Sequence, residues 1–195
     1  MQQDTRISDE QLVERIMAGR TTDFALLVRR HAPRLLHFVG RMLPVQEEAE
    51  EVVQDALLAA YQRLGDYDAS RAPFAVWLKR IAFNTATHRL RDRRTAFVPM
   101  EETHAGTAPT DGDELDHLLS DEGPDKAELL DRALDLLSAE ERMLIHLFYT
   151  DERPLREISF VLDCSVTALT SRLHRIRKKL YVTINRLSNE YQRRP

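Results

Sequence analysis

The chain has 195 residues, 43% of them apolar and 31% charged, and a formal net charge of −4, which together predict a globular protein of one domain or two small ones. No apolar run approaches the ~18 residues that a membrane-spanning helix needs, and the first ten residues lack the apolar core of a signal peptide. We therefore expect a cytoplasmic protein without membrane insertion. The single cysteine, Cys164, excludes an internal disulfide and a zinc site built on paired cysteines.

Helices are predicted throughout the first half of the chain. Ser8 begins the first helix with a capping box that Gln11 completes. The second is predicted to run from about Asp23, and Pro33 to begin or kink a further piece that ends at Pro44. In the third, apolar residues at spacings of three and four predict one buried stripe. That stripe contains Ala49, Val52, Val53, Ala56, Leu57, Ala60, Tyr61 and Leu64.

The fourth helix is predicted to follow a loop over residues 65–70 and to have Pro73 in its first turn. Phe74 and Trp77 are interpreted first as core residues of this helix. The whole predicted buried stripe is Phe74, Trp77, Leu78, Ile81, Thr85 and His88. The helix is predicted to end in a basic run over residues 89–94.

Residues 96–124 lose the helical period and contain three prolines and three glycines. Such a segment cannot bury enough apolar surface to offset the entropy of ordering it. It is also too long for a connection inside one compact domain. The sequence therefore predicts two domains, residues 1–95 and 125–195, joined by a flexible linker.

Four short helices are predicted after this linker. The first spans Leu129–Leu137, and the second begins at a capping box, Ser138–Glu141. The last two, from Pro154 to about Leu162 and from Val166 to about Leu180, are separated by a tight turn in which Ser165 is a good N-cap. Two short helices with a basic second member are typical of a helix-turn-helix unit. The predicted fold class is all-α, with a four-helix C-terminal domain.

Charge is segregated along the chain. Residues 71–94 have a net charge of +6 and residues 165–195 one of +7, whereas residues 96–125 contain nine acids and neither lysine nor arginine. This arrangement predicts two polyanion-binding surfaces separated by an acidic segment. Ordinary solvated helix faces are the alternative interpretation.

Three stretches of the chain carry motifs in a fixed order. Residues 48–61 read EAEEVVQDALLAAY, residues 74–86 read FAVWLKRIAFNTA, and residues 155–180 read LREISFVLDCSVTALTSRLHRIRKKL. They resemble the patterns DAEDLVQExFLxAW, FxxWLxRIAxNxA and xxEIAxxLGCSVGTVKSRLHRARKKL of the extracytoplasmic-function (ECF) sigma factors, which are sigma-70 family subunits of bacterial RNA polymerase. One departure is Asp163 in place of the turn glycine, although aspartate adopts the left-handed conformation more readily than most residues.

The resemblance implies an alternative sigma factor that binds core RNA polymerase, through the β′ clamp helices and the β flap, and directs promoter-specific initiation. It implies no cofactor, no metal and no enzymatic activity of its own, and it implies an anti-sigma factor as a further partner. The acidic face of the third helix, with one exposed leucine, suits docking on a basic coiled coil, and solvation is the alternative role. The candidate polymerase-binding residues are Glu48, Glu51, Gln54, Asp55 and Leu58.

Promoter contacts follow from the same resemblance. A base flipped out of the duplex needs an amide to read its edge and an aromatic or apolar wall. Asn84 and Tyr67 are the matching residues. The alternative is that Asn84 is an ordinary surface residue with no role in binding. The candidate −10 residues are Tyr67, Lys79, Arg80, Asn84, His88 and Arg91. The last helix is predicted to point Val166, Leu169, Leu173 and Ile176 inward. Its candidate −35 residues are Ser171, Arg172, His174, Arg175 and Lys178.

Two rival functions and one open question accompany this interpretation. The rivals are a stand-alone helix-turn-helix regulator that does not bind polymerase, and a helical hydrolase or transferase, for which we find no motif. The seven histidines show no metal-ligand spacing. The acidic linker is interpreted either as a mimic of RNA in the polymerase exit path or as an ordinary tether.

Overall fold

The computed structural model describes residues 7–96 and 124–192, and in these two ranges every regular element is helical, which confirms the all-α class. The predicted linker over residues 96–124 lies, apart from its two end residues, outside the described residues. The α-helices of the described residues are α1 (Asp9–Met17), α2 (Phe24–Gly40), α3 (Gln46–Gln62), α4 (Phe74–Ala96), α5 (Pro124–Asp135), α6 (Ala139–Ile145), α7 (Leu155–Val161) and α8 (Val166–Gln192). Short 3₁₀ turns lie at Thr21–Asp23 and Leu64–Asp66, and a π-helical segment lies at His146–Thr150.

These helices group into two compact units. The first contains α1 to α4 together with residues 153–164, which include α7, and the second contains α5, α6, the π segment and α8. The predicted bounds at residues 95 and 125 would place α7 with α8. Those domain bounds stay a prediction.

The core of the first unit forms where α3 packs against both α2 and α4, and α1 packs on α2. Leu27 and Phe38 of α2, Val52 of α3 and Leu78 of α4 are each at most 3% exposed. Burying one such side chain stabilises the fold by about 1.5–3 kcal/mol. The position of α4 relative to α3 is therefore fixed by packing.

Helix α2 is continuous, so the separate piece predicted to begin at Pro33 is not present. Pro33 has no N–H to donate to the carbonyl oxygen one turn earlier, which costs the helix one hydrogen bond. Leu27, before the proline, and Leu35 and Phe38, after it, are all buried in the unit's core. Packing on both sides of Pro33 outweighs the lost bond.

The buried face of α4 differs from the predicted stripe. Phe74 is 1% exposed as predicted, but Trp77 is only half-buried and His88 is exposed. Ile81 and Thr85 are likewise half-buried, and the buried positions are Phe74, Val76, Leu78, Ala82, Phe83 and Ala86. The prediction followed the large side chains, whereas Ala82 and Ala86 are more buried than Trp77 and Ile81.

Helix α8 in the second unit is 27 residues long and continues well beyond its predicted end near Leu180. Ile184 and Leu187 extend the apolar period and are buried, and α8 packs on α5. The predicted inward positions Leu169, Leu173 and Ile176 are buried, but Val166 is 39% exposed because it lies in the first turn. Within the described parts of the chain, none of the helices combines the length and apolarity that a membrane span requires.

Candidate protein and nucleic-acid interfaces

Two of the candidate polymerase-binding residues on α3 are engaged within the first unit. Glu48 forms an ion pair with Arg93, and Glu51 forms one with Arg89, both arginines belonging to the basic end of α4. The Glu48 side chain is only 18% exposed. These two acids therefore hold the basic end of α4 against α3, a contact that no local sequence pattern indicates.

The other three candidates, Gln54, Asp55 and Leu58, are exposed on α3. Leu58 is 56% exposed, whereas the other aliphatic residues of α3 are buried or half-buried. Gln54 and Leu58 are four residues apart and Asp55 and Leu58 three apart, so they share one side of the helix. An apolar side chain flanked by an amide and a carboxylate fits a protein partner with apolar and basic groups.

Leu58 also lines an apolar groove that the sequence analysis missed. The groove has a volume of about 610 Å³ and lies between the start of α2 and the second half of α3. Tyr61, predicted to be buried, is 40% exposed here, and its ring packs edge-on against Phe24 at 5.0 Å. The full lining is Thr21, Thr22, Phe24, Ala25, Val28, Arg29, Leu57, Leu58 and Tyr61.

The candidate −10 residues on α4 lie largely on one side of the helix. Trp77, Asn84 and Arg91 follow at intervals of seven residues, which is close to two full turns, and His88 falls beside them. Trp77 and Asn84 are half-buried, whereas His88 and Arg91 are exposed. This side of α4 is thus an accessible polar and aromatic surface rather than part of the core.

Lys79 and Arg80 are half-buried and both contact aromatic rings. The Lys79 ammonium lies 5.8 Å from the centre of the Phe38 ring. The Arg80 guanidinium lies 5.0 Å from the ring centre of Phe160, and its Nη2 is 2.6 Å from Oδ1 of Asp163. Both cations therefore have intramolecular partners that DNA would have to share or replace.

Tyr67 is fixed at the start of α4 by aromatic contacts. Its ring packs edge-on against Phe74 at 5.5 Å and lies 5.4 Å from the ring of Trp77. Asn84 lies two turns beyond Trp77, about 10 Å along the helix axis. Tyr67 and Asn84 thus occupy the two ends of one stretch of surface, and the predicted pocket for a flipped base would span the helix turns between them.

Burial, together with the nearby carboxylate of Glu10, raises the pKa of Tyr67 to about 12. The phenol remains protonated over the whole physiological range. Its hydroxyl lies 3.5 Å from Oε1 of Glu10, to which it donates.

The candidate −35 residues lie on the outer side of α8. Ser171, Arg172, His174 and Arg175 are exposed and Lys178 is half-buried. Arg175 donates from Nε to the carbonyl oxygen of Ser171 at 3.4 Å, which orients its side chain along the helix. The N-terminal half of α8 therefore presents a basic surface suited to base edges and phosphates in a major groove.

Local sequence signals around the start of α8 are confirmed. The backbone N–H of Ala168 donates to Oγ of Ser165 at 3.1 Å, as expected of an N-cap. Asp163 has a φ of 52°, so it adopts the left-handed conformation in which a glycine is usual. Within the described residues, no group of three or more His, Cys, Asp or Glu side chains is arranged to hold a metal ion.

Comparison with known protein families identifies both halves of the chain. The description "Sigma-70 region 2" matches residues 27–96 and "Sigma-70, region 4" matches residues 127–180. The chain is 30% identical over 203 residues to the RNA polymerase sigma-H factor of Pseudomonas aeruginosa, covering 95% of this chain and 98% of that protein. It is also 30% identical over 182 residues to the ECF RNA polymerase sigma-E factor of Escherichia coli K12, covering 90% and 93%.

Two solved structures have a similar fold. The first is CnrH in complex with the cytosolic domain of CnrY, with a TM-score of 0.58 and 26% identity over 91% of this chain and 97% of that chain. The second is the sigma factor RpoE of Bartonella quintana in complex with the anti-sigma factor NepR, with a TM-score of 0.55 and 21% identity over 84% and 97%.

These matches span both motif-bearing halves of the chain. The chain belongs to the ECF sigma factors of the sigma-70 family. It is an alternative sigma factor that directs transcription, and its regions 2 and 4 correspond to the N-terminal and C-terminal helices described above. The stand-alone regulator is not favoured, because region 2 accounts for residues 27–96.

Proposed function

We propose that this sigma factor docks on core RNA polymerase through Gln54, Asp55 and Leu58 of α3 and binds promoter DNA with α4 and α8. In this proposal, residues 1–95 bind polymerase and the −10 element, residues 96–124 connect the domains, and residues 125–195 read the −35 element. The observation that carries the proposal is the exposed side of α3, where an isolated apolar residue lies beside an apolar groove.

The candidate polymerase-binding residues of α3 fall into two groups, those that contact α4 and those that do not. Glu48 and Glu51 are paired with arginines at the basic end of α4. Gln54, Asp55 and Leu58 remain at the surface and form the docking residues proper. Burying Leu58 and the groove against a partner removes apolar surface from water, a gross gain of about 25 cal/mol per Å² from which the costs of association are subtracted.

Promoter binding is assigned to two helices whose exposed side chains differ in chemistry. Tyr67, in the loop before α4, and Trp77 of α4 provide aromatic surface and Asn84 of α4 provides an amide, as a melted strand requires. On α8, Arg172 and Arg175 extend from an exposed helix surface, as duplex recognition requires. His174 is assigned to −35 recognition with these two arginines. Supporting contacts to the promoter DNA are assigned to Lys79, Arg80, His88, Arg91, Ser171 and Lys178.

Core polymerase, promoter DNA and an anti-sigma factor are the proposed partners, with the β′ clamp helices and β flap as the polymerase elements. An anti-sigma factor is supported by the similarly folded RpoE, which is bound to its anti-sigma factor NepR. The protein acts in the cytoplasm alongside the polymerase. We assign it no catalytic chemistry, since nucleotide addition is the activity of the polymerase.

The docking assignment is tested by placing two arginines on the exposed side of α3. The double variant Gln54→Arg/Leu58→Arg should no longer co-elute with core polymerase, because it replaces the apolar anchor with charge. Circular dichroism should be unchanged, because both side chains are exposed. Gln46→Arg is the matched control, since it places the same charge at an exposed position in the first turn of α3, about two turns before Gln54. Co-elution of the double variant at the parent's level would contradict the assignment.

A further inference from the structure

The first turn of α1 carries adjacent acids, Asp9 and Glu10, that contact two different parts of the first unit. The Asp9 carboxylate binds α2 twice: Oδ1 accepts from Nη1 of Arg30 at 3.0 Å, and Oδ2 lies 2.7 Å from Nε2 of His31. Arg30 also donates from Nη1 to the carbonyl oxygen of Ile7 at 2.8 Å. Three interactions therefore fix the start of α1 on α2.

Glu10, one residue further along, faces the loop that precedes α4. Its Oε1 accepts from the hydroxyl of Tyr67 at 3.5 Å, which is at the long end of the hydrogen-bond range. The two residues are 57 positions apart in the chain. Since Asp9 fixes the helix, Glu10 is presented to Tyr67 from a rigid element.

The ring of Tyr67 belongs to an aromatic cluster that joins the same elements. His31 is 7% exposed and its ring lies 5.4 Å from that of Phe74, which in turn contacts both Tyr67 and Trp77. The ring of Tyr67 is thus held by α4 and its hydroxyl by α1.

We infer that Glu10 is a positioning residue for promoter recognition, acting through Tyr67 to fix the loop that meets the −10 strand. This inference rests on the proposed function of Tyr67. It adds α1 to the promoter-reading apparatus, although the matched region 2 begins only at residue 27. It also assigns the hydroxyl of Tyr67 to Glu10, so a base would use the ring of Tyr67 as a stacking surface rather than hydrogen bond to its hydroxyl.

The free protein provides a test that does not involve DNA. Trp77 is the single tryptophan of the chain and lies 5.4 Å from Tyr67, so its fluorescence reports how that ring packs. Glu10→Ala should change the emission of Trp77, whereas Glu10→Gln, which keeps an acceptor oxygen, should stay close to the parent. Glu14→Ala is the matched control, because it removes an exposed acid from the same helix. Unchanged emission in Glu10→Ala would overturn the inference.

The full chain with core polymerase provides the functional test. Glu10→Ala should reduce the preference for the parent's −10 base in promoter-opening assays by roughly two- to tenfold, the range for one lost hydrogen bond. Glu10→Gln should retain most of the preference. In a Tyr67→Phe background, Glu10→Ala should have no additional effect, and an additional effect of full size would overturn the route through Tyr67.

The two tests separate the inference from the proposed function. A change in Trp77 emission together with a reduced base preference supports both. A change in emission with an unaltered base preference would overturn the promoter role of Glu10 and leave the assignment of Tyr67 to the −10 strand standing. That assignment fails only if Tyr67→Ala also keeps the parent's base preference. A uniform gain in DNA affinity without a change in preference would show that Glu10 acts only by repelling phosphate, which also overturns the inference.

Discussion

Asp163 sets the backbone of the turn before α8 with a φ of 52°. This conformation strains any residue that has a Cβ atom. The strain is smaller for Asp than for most residues, because its side chain can form local hydrogen bonds. The residue also pairs with Arg80 at 2.6 Å, but its side chain is 58% exposed, so the pair contributes only about 0–1 kcal/mol. The backbone conformation is the main constraint on this position.

Comparing Asp163→Ala with Asp163→Gly isolates that constraint, since both variants lose the Arg80 pair equally. The alanine variant should have a free energy of unfolding about 1 kcal/mol lower than the glycine variant, because only glycine adopts positive φ without strain. Urea denaturation measures the difference. Equal stability of the two variants would show that the turn relaxes to another conformation.

Glu141 links stability to pH in the second unit. Burial would raise the pKa of its carboxyl, but the hydrogen bonds from Lys179, at 2.8 Å, and from Ser138 outweigh burial and hold the pKa below its usual value. A carboxyl with a lowered folded pKa binds protons more readily when unfolded, so it stabilises the fold above about pH 4.5. This contribution is lost as the pH falls below that value.

Glu141→Gln should therefore lower the melting temperature at pH 7 and have a smaller effect at pH 3.5. Thermal denaturation at the two pH values measures the difference between variant and parent. Glu140→Gln is the matched control on the neighbouring, exposed position. A Glu141→Gln difference that is as large at pH 3.5 as at pH 7 would contradict the assignment of this ion pair.

Local contacts of these residues were predictable and distant ones were not. The capping boxes at Ser8 and Ser138 join residues three apart, so the sequence shows both partners together, and both are present. Asp9 with His31 and Glu48 with Arg93 join residues 22 and 45 apart. Such pairs depend on how helices pack, which no local pattern records.

At the scale of whole helices, the apolar period predicted which elements form but misjudged which side of α4 is buried. Trp77 and Ile81 have the size and apolarity of core residues, yet they are only half-buried, whereas Ala82 and Ala86 are fully buried. Phe74, Leu78 and Phe83 are buried as well, so the buried side of α4 combines large and small side chains.

The exposed arginines of α8 lead to a testable prediction about recognition of duplex DNA. Arg172→Ala should weaken promoter binding by about 1–3 kcal/mol and relax the preference at one −35 position, as expected when a base-reading arginine is lost. Arg186→Ala is the matched control, since it is exposed on the same helix and on the same side but nearly four turns further along. Transcription from a set of −35 variants measures both. Loss of preference in Arg186→Ala but not in Arg172→Ala would move the recognition surface along the helix.

At the scale of the whole molecule, an overall charge of −4 coexists with two basic surfaces. The blocks of +6 and +7 lie in the segments that carry α4 and α8, and the nine acids of residues 96–125 offset them. A polyanion is therefore attracted to the two helices and repelled by the segment between them. The sequence alone predicts this division, because charge counts do not depend on the fold.

The acidic linker provides the last prediction, which concerns how the two domains act together. Replacing the eight acids between positions 101 and 122 by their amides should leave binding to core polymerase and to promoter DNA unchanged, because the proposed interfaces all lie on other segments.

The effect of this variant on early transcription depends on whether the negative charge of the linker competes with RNA. If the linker is only a tether, the neutral variant should give the parent's ratio of abortive to full-length RNA, since the distance that the linker can span is largely retained. As an RNA mimic, it should alter that ratio, because a neutral segment no longer competes with the transcript for a basic path. Run-off transcription with abortive products resolved on the same gel measures the ratio, and loss of polymerase binding in this variant would place part of the docking surface in the linker itself.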